Sequence, residues 1–298
     1  MRLLAILLSL ACLVPTQLRA QELPPRLPWG DPNLQGIWFY HTLTPLERPE
    51  VFAKTDVLAP DAAAEYVKQQ HTNLENAQLR GDWGALAVLT HSRTAQIIDP
   101  VNGRVPPRTP AAQRRAETIG SPPSSRTADG PEDRESLERC IMGRSVPFLA
   151  RSFEQRVQIF QTPNYVALKD EFGELRLVPL DGRERLPESI RQWGGRSRGH
   201  WDGDTLVVET TNFNGKWSLR GSGSHMRLVE RFVWSAPGTL DYEFTVDDPE
   251  SFESEWAATF PFIRDPGPLH DYACHEGNKS MPLILGGARA EERMKREG

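Results

Sequence analysis

Cysteine is scarce in this chain: only 3 occur in 298 residues, and one of them, Cys12, falls in the opening segment. Cys140 and Cys274 remain. No Arg/Lys block or basic stripe appears, and the formal net charge is -5, which argues against a nucleic-acid partner. After the first 20 residues no stretch is apolar enough to span a bilayer. No βαβ alternation is present, so a parallel α/β fold is not expected. A Gly-x-Ser-x-Gly elbow, a phosphate loop and a dinucleotide fingerprint are also missing from any usable context. Gly221-Ser222-Gly223-Ser224-His225 reads as a flexible loop before a strand. No motif names a reaction.

The opening segment reads as an export signal. Arg2 supplies the positive start, Leu3 to Val14 a short apolar core, and Leu18-Arg19-Ala20 a small-residue ending, with cleavage expected before Gln21. Ala11-Cys12 invites a lipid anchor, but Ser9 and the continuing apolar run argue against it. The mature chain is expected in the periplasm or secreted, without a transmembrane segment. In that oxidising setting Cys140 and Cys274 are expected to pair, the alternative being two separate buried thiols. Such a bond closes a loop of more than a hundred residues, worth ~3–5 kcal/mol on a chain-entropy basis.

The clearest structure lies at Arg198-Gly199-His200-Trp201-Asp202-Gly203-Asp204 and the Val/Thr-rich run after it. A tight Asp202-Gly203 turn would pair His200 with Thr205, Arg198 with Val207 and Arg196 with Glu209. Arg196, Arg198, His200, Thr205, Val207 and Glu209 then share one face, and Trp201, Leu206 and Val208 the other.

Around this hairpin the strands multiply. Leu34 to Tyr40, Ser92 to Asp99, Gln155 to Gln161, Tyr165 to Asp170, Leu175 to Leu180, Arg227 to Ser235, Thr239 to Asp247, Glu253 to Ile263 and Leu269 to His275 all carry β patterns. The best helix runs from an Asp61 N-cap to Leu79. Residues 111–135 mix helical pieces with loop chemistry, and a short helix is expected from Pro131. The predicted fold is mainly β: an antiparallel, lipocalin-like barrel in a single β-rich domain over 21–298. Residues 21–150 wrap it, 151–276 supply the barrel strands, and 277–298 form a tail.

Two resemblances accompany this pattern. Gly36-Ile37-Trp38 resembles the opening strand of lipocalin-like barrels, where Trp plugs one end. An ordinary buried Trp is the alternative. Gln161-Thr162-Pro163, Pro179-Leu180-Asp181-Gly182-Arg183, Gly203 to Val208, Glu230-Arg231-Phe232, Val246 to Pro249, Asp31 to Trp38 and Tyr272 to Asn278 are similar to a widespread group of exported bacterial proteins with a C-terminal β-rich domain. That resemblance implies export and fold class, not chemistry.

Candidate site residues follow from exceptions to the pattern. Glu230 falls on an apolar strand face with Leu228 and Phe232, opposite Phe244. It reads as a general acid/base or ligand anchor in the lumen, or as a structural ion pair with a nearby Arg. His200 or His275 would complete a Glu/His acid–base pair. Arg198, with Arg196, His200 and Glu209, reads as an anion or sugar-acid pocket, or as a solvated face. Tyr242, Phe244, Trp201 and Trp217 are ligand-contact candidates, and Trp193 stands beside a loop. His270 and His275 point to opposite strand faces, so no metal site and no cofactor are predicted. The sequence carries no sign of oligomeric state. Three readings stay open. The first is a small-molecule-binding barrel for a partly apolar, aromatic or carbohydrate-derived ligand. The second is an exported cofactor-free hydrolase, lyase or isomerase, and the third a structural or partner-binding protein.

Overall fold

A computed structural model describes residues 23–76, 88–119, 128–134, 136, 138–141, 146–150, 156–216 and 219–297. Ten strands make one antiparallel sheet: β1 Gly36–Phe39, β2 Ile97–Asp99, β3 Arg156–Thr162, β4 Tyr165–Asp170, β5 Leu175–Pro179, β6 Arg196–Asp202, β7 Thr205–Thr211, β8 Arg227–Ala236, β9 Thr239–Asp247 and β10 Trp256–Arg264. Their order is β5-β4-β3-β1-β10-β9-β8-β7-β6, and β2 shares an edge of β10 with β1. The two end strands, β5 and β6, approach each other without a hydrogen-bonded ladder. The sheet is therefore a nearly closed antiparallel barrel of lipocalin-like form, with one unpaired seam.

Alternation makes this shape. On β9, Leu240, Tyr242, Phe244 and Val246 are buried, while Thr239, Asp241, Glu243, Thr245 and Asp247 lie between them on the outer face. Neighbouring strands answer in register: Glu230 pairs with Phe244, and Phe260 with Tyr242. The interior is filled by rings. Tyr242 stacks on Phe262 with centroids 4.9 Å apart, and meets Phe232 at 5.1 Å and Phe260 at 5.2 Å. Phe148, from the segment before β3, enters the same cluster against Tyr40 and Phe262.

Trp38 lies in the core, as both readings of the Gly36-Ile37-Trp38 pattern require. Trp38 is fully buried and donates its indole N–H to the Leu34 carbonyl at 2.8 Å. The Arg264 guanidinium lies 5.1 Å from its ring centroid. Gly36 has φ +128°, and a Cβ there would fall on that guanidinium. Only glycine serves both demands.

Outside the barrel, Gln96 accepts the Thr259 backbone N–H at 2.9 Å and donates to the Thr44 carbonyl at 2.7 Å. The N-terminal segment thus covers the outer side of β10, where Ala257 and Pro261 are buried. Among the described residues the α-helices are α1 Pro60–Asn76, α2 Pro110–Ile119 and α3 Ser280–Glu297, and Pro131–Asp133 is a short 3-10 helix. No described helix is long and apolar enough to cross a membrane. Cys140 and Cys274 form a disulfide, with Cα atoms 5.7 Å apart.

Several expectations need correction. The hairpin turn is Gly203-Asp204, so Arg198 pairs with Glu209 and His200 with Val207. Gly203 alone of the two central residues has positive φ, +59°, the type II′ pattern. The shift keeps each residue's face and moves its partner by two. Residues 269–275 form no strand, so the disulfide ties Cys140 to a loop after β10. The expected tail 277–298 is largely the helix α3, which buries no residue and so leaves a weak pattern in sequence. Helix α1 begins at Pro60, and Asp61 sits in its first turn instead of capping it. Of Ser92 to Asp99, only Ile97–Asp99 forms a strand, and Arg93 makes an isolated bridge to Val57. The export signal lies outside the described residues.

Candidate functional site

Glu230 is completely buried. It sits in the inward row Gly199–Val208–Glu230–Phe244, one residue from each strand from β6 to β9. An unpaired carboxylate there would be very costly. Arg176 of β5 meets it: Nη1 donates to Oε2 at 2.5 Å and Nη2 to Oε1 at 3.0 Å. The Tyr242 hydroxyl donates to Oε1 at 2.7 Å, and itself accepts the Phe148 backbone N–H at 3.2 Å. The Phe148 ring lies 5.2 Å from the Arg176 guanidinium carbon.

These neighbours set the ionisation. Burial alone would lower the Arg176 pKa, but the charge and hydrogen bonds of Glu230 outweigh it and the net shift is upward. Tyr242 is pushed well above its ordinary 10.0, first by burial and then by the Glu230 charge. Its phenol stays protonated and keeps donating. Both Glu230 oxygens are engaged, so the carboxylate anchors a guanidinium. This is the structural ion-pair alternative for Glu230.

The guanidinium arrives through the seam. Along most of β5 and β6 no ladder exists, yet the gap closes at Gly199: a Cβ there would lie 2.8 Å from both Val178 Cγ1 and Leu180 Cδ2. Side-chain packing on a glycine replaces strand pairing. Below that contact the seam opens into a cavity of about 270 Å³, lined by Glu174, Arg176, Gln192, Gly194, Arg196 and Ser197 among others. Gly195 turns the chain into β6 with φ +68°, and a Cβ there would meet the Thr211 carbonyl at 2.6 Å. The Ser197 hydroxyl is bonded to Thr210 at 2.8 Å. Buried Arg176 Nε has no hydrogen-bond partner, and among the described residues Arg196 makes no ion pair. Arg176 is thus a lining residue of the cavity, while its Nε is buried away from it.

The other candidates lie elsewhere. His200 is on the outer row with Val207 and Arg231, opposite in face to Glu230. His275 is exposed in the loop after β10. Neither histidine shares a site with Glu230, so the expected Glu/His pair is not assembled. Arg198 is also on the outer face and donates to the Arg183 carbonyl. It belongs to the solvated-face alternative, and Glu209 is taken by Arg185 and Arg227. Tyr242 and Phe244 are fully buried in a packed interior and offer no open surface to a ligand. Trp201 packs against the core from the inner face of β6, with its indole nitrogen buried and without a partner. Trp217 lies outside the described residues. Among the described residues, no three His, Cys, Asp or Glu side chains come together as a metal site would require.

Sequence reasoning missed Arg176, although its signal was present. In Leu175-Arg176-Leu177 the usual parity is inverted: both leucines are 56% exposed and Arg176 only 8%. Its pairing with Leu168 puts it on the inner face. A charge of each sign on inward rows of β5 and β8 was the clue to a buried pair.

The fold and this site define a nearly closed antiparallel β-barrel with a packed lumen and a polar cavity at its seam. Comparison with protein-family models, with curated proteins and with solved structures found no match.

Proposed function

We propose that this is an exported binding protein, periplasmic or secreted, that holds one small polar molecule in the β5–β6 seam. The reading keeps the small-molecule barrel but moves its site from the lumen, which aromatic side chains fill, to the seam. One observation carries it: a cavity of about 270 Å³ lined by the buried Arg176 and by Arg196, which makes no ion pair among the described residues. Binding cavities usually start near ~300 Å³, so the ligand is about the size of an amino acid or a simple sugar. The Cys140–Cys274 disulfide and the amino-terminal signal pattern support export. So does the resemblance to exported β-rich bacterial proteins.

The test compares the wild type with Gly194→Leu. Gly194 has no positive φ, and an added Cβ would lie 3.5 Å from Glu174 Oε1 and 3.7 Å from Val146 Cγ2. A larger side chain at this position fills the cavity without backbone strain. Both proteins are screened by native mass spectrometry against a library of small polar metabolites. Retention by the wild type and loss in Gly194→Leu is expected. Equal retention by both, or none by either, would overturn the seam site.

A further inference from the structure

We infer that the seam cavity takes a short aliphatic or aromatic carboxylate, with its carboxylate on Arg196 and its apolar part against Leu175 and Leu177. This rests on the seam site proposed above and names its ligand class. Strand parity divides the lining. Arg176 and Ser197 are buried, on the inner faces of β5 and β6, whereas Leu175, Leu177 and Arg196 stand exposed on the outer faces. The cavity is thus bordered at the barrel surface by two leucines on one bank and a guanidinium on the other. Each leucine is 56% exposed. They sit two apart on one strand, so a single tail can cover both and remove their apolar surface from water.

The charges on the lining are not equally free. Arg176 is held by both oxygens of Glu230. Glu174 has a partner of its own and adds to the field on Arg176. The Arg196 guanidinium makes no hydrogen bond or ion pair with any described residue. Its cross-strand neighbour is the uncharged Thr211, and Glu209 on the same face is already shared by Arg185 and Arg227. A guanidinium fork meets a carboxylate through two parallel hydrogen bonds. An amine in the same place would face a like charge, and an alcohol would leave Arg196 uncompensated. A dianionic phosphate ester would bring a second negative charge towards Glu174, which lines the same cavity. One negative charge on a short apolar tail is what matches both banks of the seam.

The experiment measures binding of straight-chain carboxylates from acetate to octanoate, and of phenylacetate, each beside the alcohol and the amine of the same skeleton. Calorimetry is run on the full-length mature protein, on Arg196→Gln and on the double variant Leu175→Ser with Leu177→Ser, with circular dichroism confirming that each variant folds. At least one carboxylate longer than acetate is expected to bind the wild type about tenfold or more tighter than its alcohol and its amine. Affinity should rise about two- to fourfold per added methylene until the cavity is full. Arg196→Gln should bring carboxylate and alcohol to equal affinity. The leucine double variant should remove the gain per methylene. A carboxylate series that binds no tighter than its alcohols or amines overturns the assignment, as does a preference that survives Arg196→Gln or a chain-length gain that survives the leucine replacements. If none of these compounds binds while the library yields a ligand lost in Gly194→Leu, the assignment falls and the seam site stands. If the library also yields nothing, both fall.

Discussion

Arg176 and Glu230 join across the lumen through two hydrogen bonds of 2.5 and 3.0 Å, and so tie the two sides of an open barrel together. Through the ladder, β4, β3, β1, β10 and β9 lie between them; around the seam only β6 and β7 do. The ion pair does there what strand pairing does elsewhere.

Removing one partner leaves the other charged and buried. Glu230→Gln and Arg176→Met are each expected to cost about 3–5 kcal/mol in urea unfolding, while the double replacement Arg176→Met with Glu230→Leu costs much less than the sum. Additive losses would mean that the two groups do not act as a pair.

Gly199 tests the side-chain half of the closure. Gly199→Ala places a methyl 2.8 Å from Val178 and Leu180 and is expected to destabilise by about 1–3 kcal/mol. Adding Leu180→Ala should recover part of that loss. A Gly199→Ala protein as stable as the wild type would show that the seam is looser than described.

Tyr242 makes stability depend on alkali. Its folded pKa lies well above 10.0, through burial first and the Glu230 charge second. The folded state then keeps a proton that the unfolded state gives up, so this contribution is complete below about pH 10 and declines as pH rises beyond it. Tyr242→Phe should be less stable at neutral pH, since Glu230 loses a donor, yet its stability should fall less steeply above pH 10. Unfolding curves between pH 8 and 11.5 decide this; equal slopes would rule it out.

The Cys140–Cys274 bond spans 134 positions. Replacing both cysteines by serine is expected to lower stability by about 3–5 kcal/mol, chiefly through a freer unfolded chain. A thermal midpoint unchanged from the oxidised wild type would refute that.

On the outer surface, hydrogen bonds from Arg183 hold Asp181 down to about 2. Carboxyl NMR titration should find that midpoint in the wild type, and Arg183→Ala should return Asp181 towards its ordinary 3.8. The pair lies on the surface, so little change in stability accompanies the shift.

Much of the barrel was legible from residue order. Period-two runs such as Leu240-Asp241-Tyr242-Glu243-Phe244 fix which side chains go inward, because a strand has only two faces. The registers of β8 on β9 and of β3 on β4 follow from their short turns, and Glu230 stood out because it broke the apolar row. The turn at Gly203 was misplaced by one residue because Asp202 and Asp204 both suit a tight turn. Helix α3 went unseen because none of its described residues is buried, so no apolar face marks it in the sequence.

The sequence by itself determined the antiparallel barrel, the faces of β6 to β10, the two cysteines available to pair and the anomaly at Glu230. These are local properties: backbone periodicity, turn chemistry and charge on an apolar face. Only the tertiary structure decided that Arg176 is Glu230's partner, that His200 and His275 stand outside, that rings fill the lumen, and that β5 and β6 leave a cavity. Each of these depends on how a sheet curls back until its first and last strands meet. Strands far apart in the chain and unlinked by hydrogen bonds leave no pairing signal in sequence.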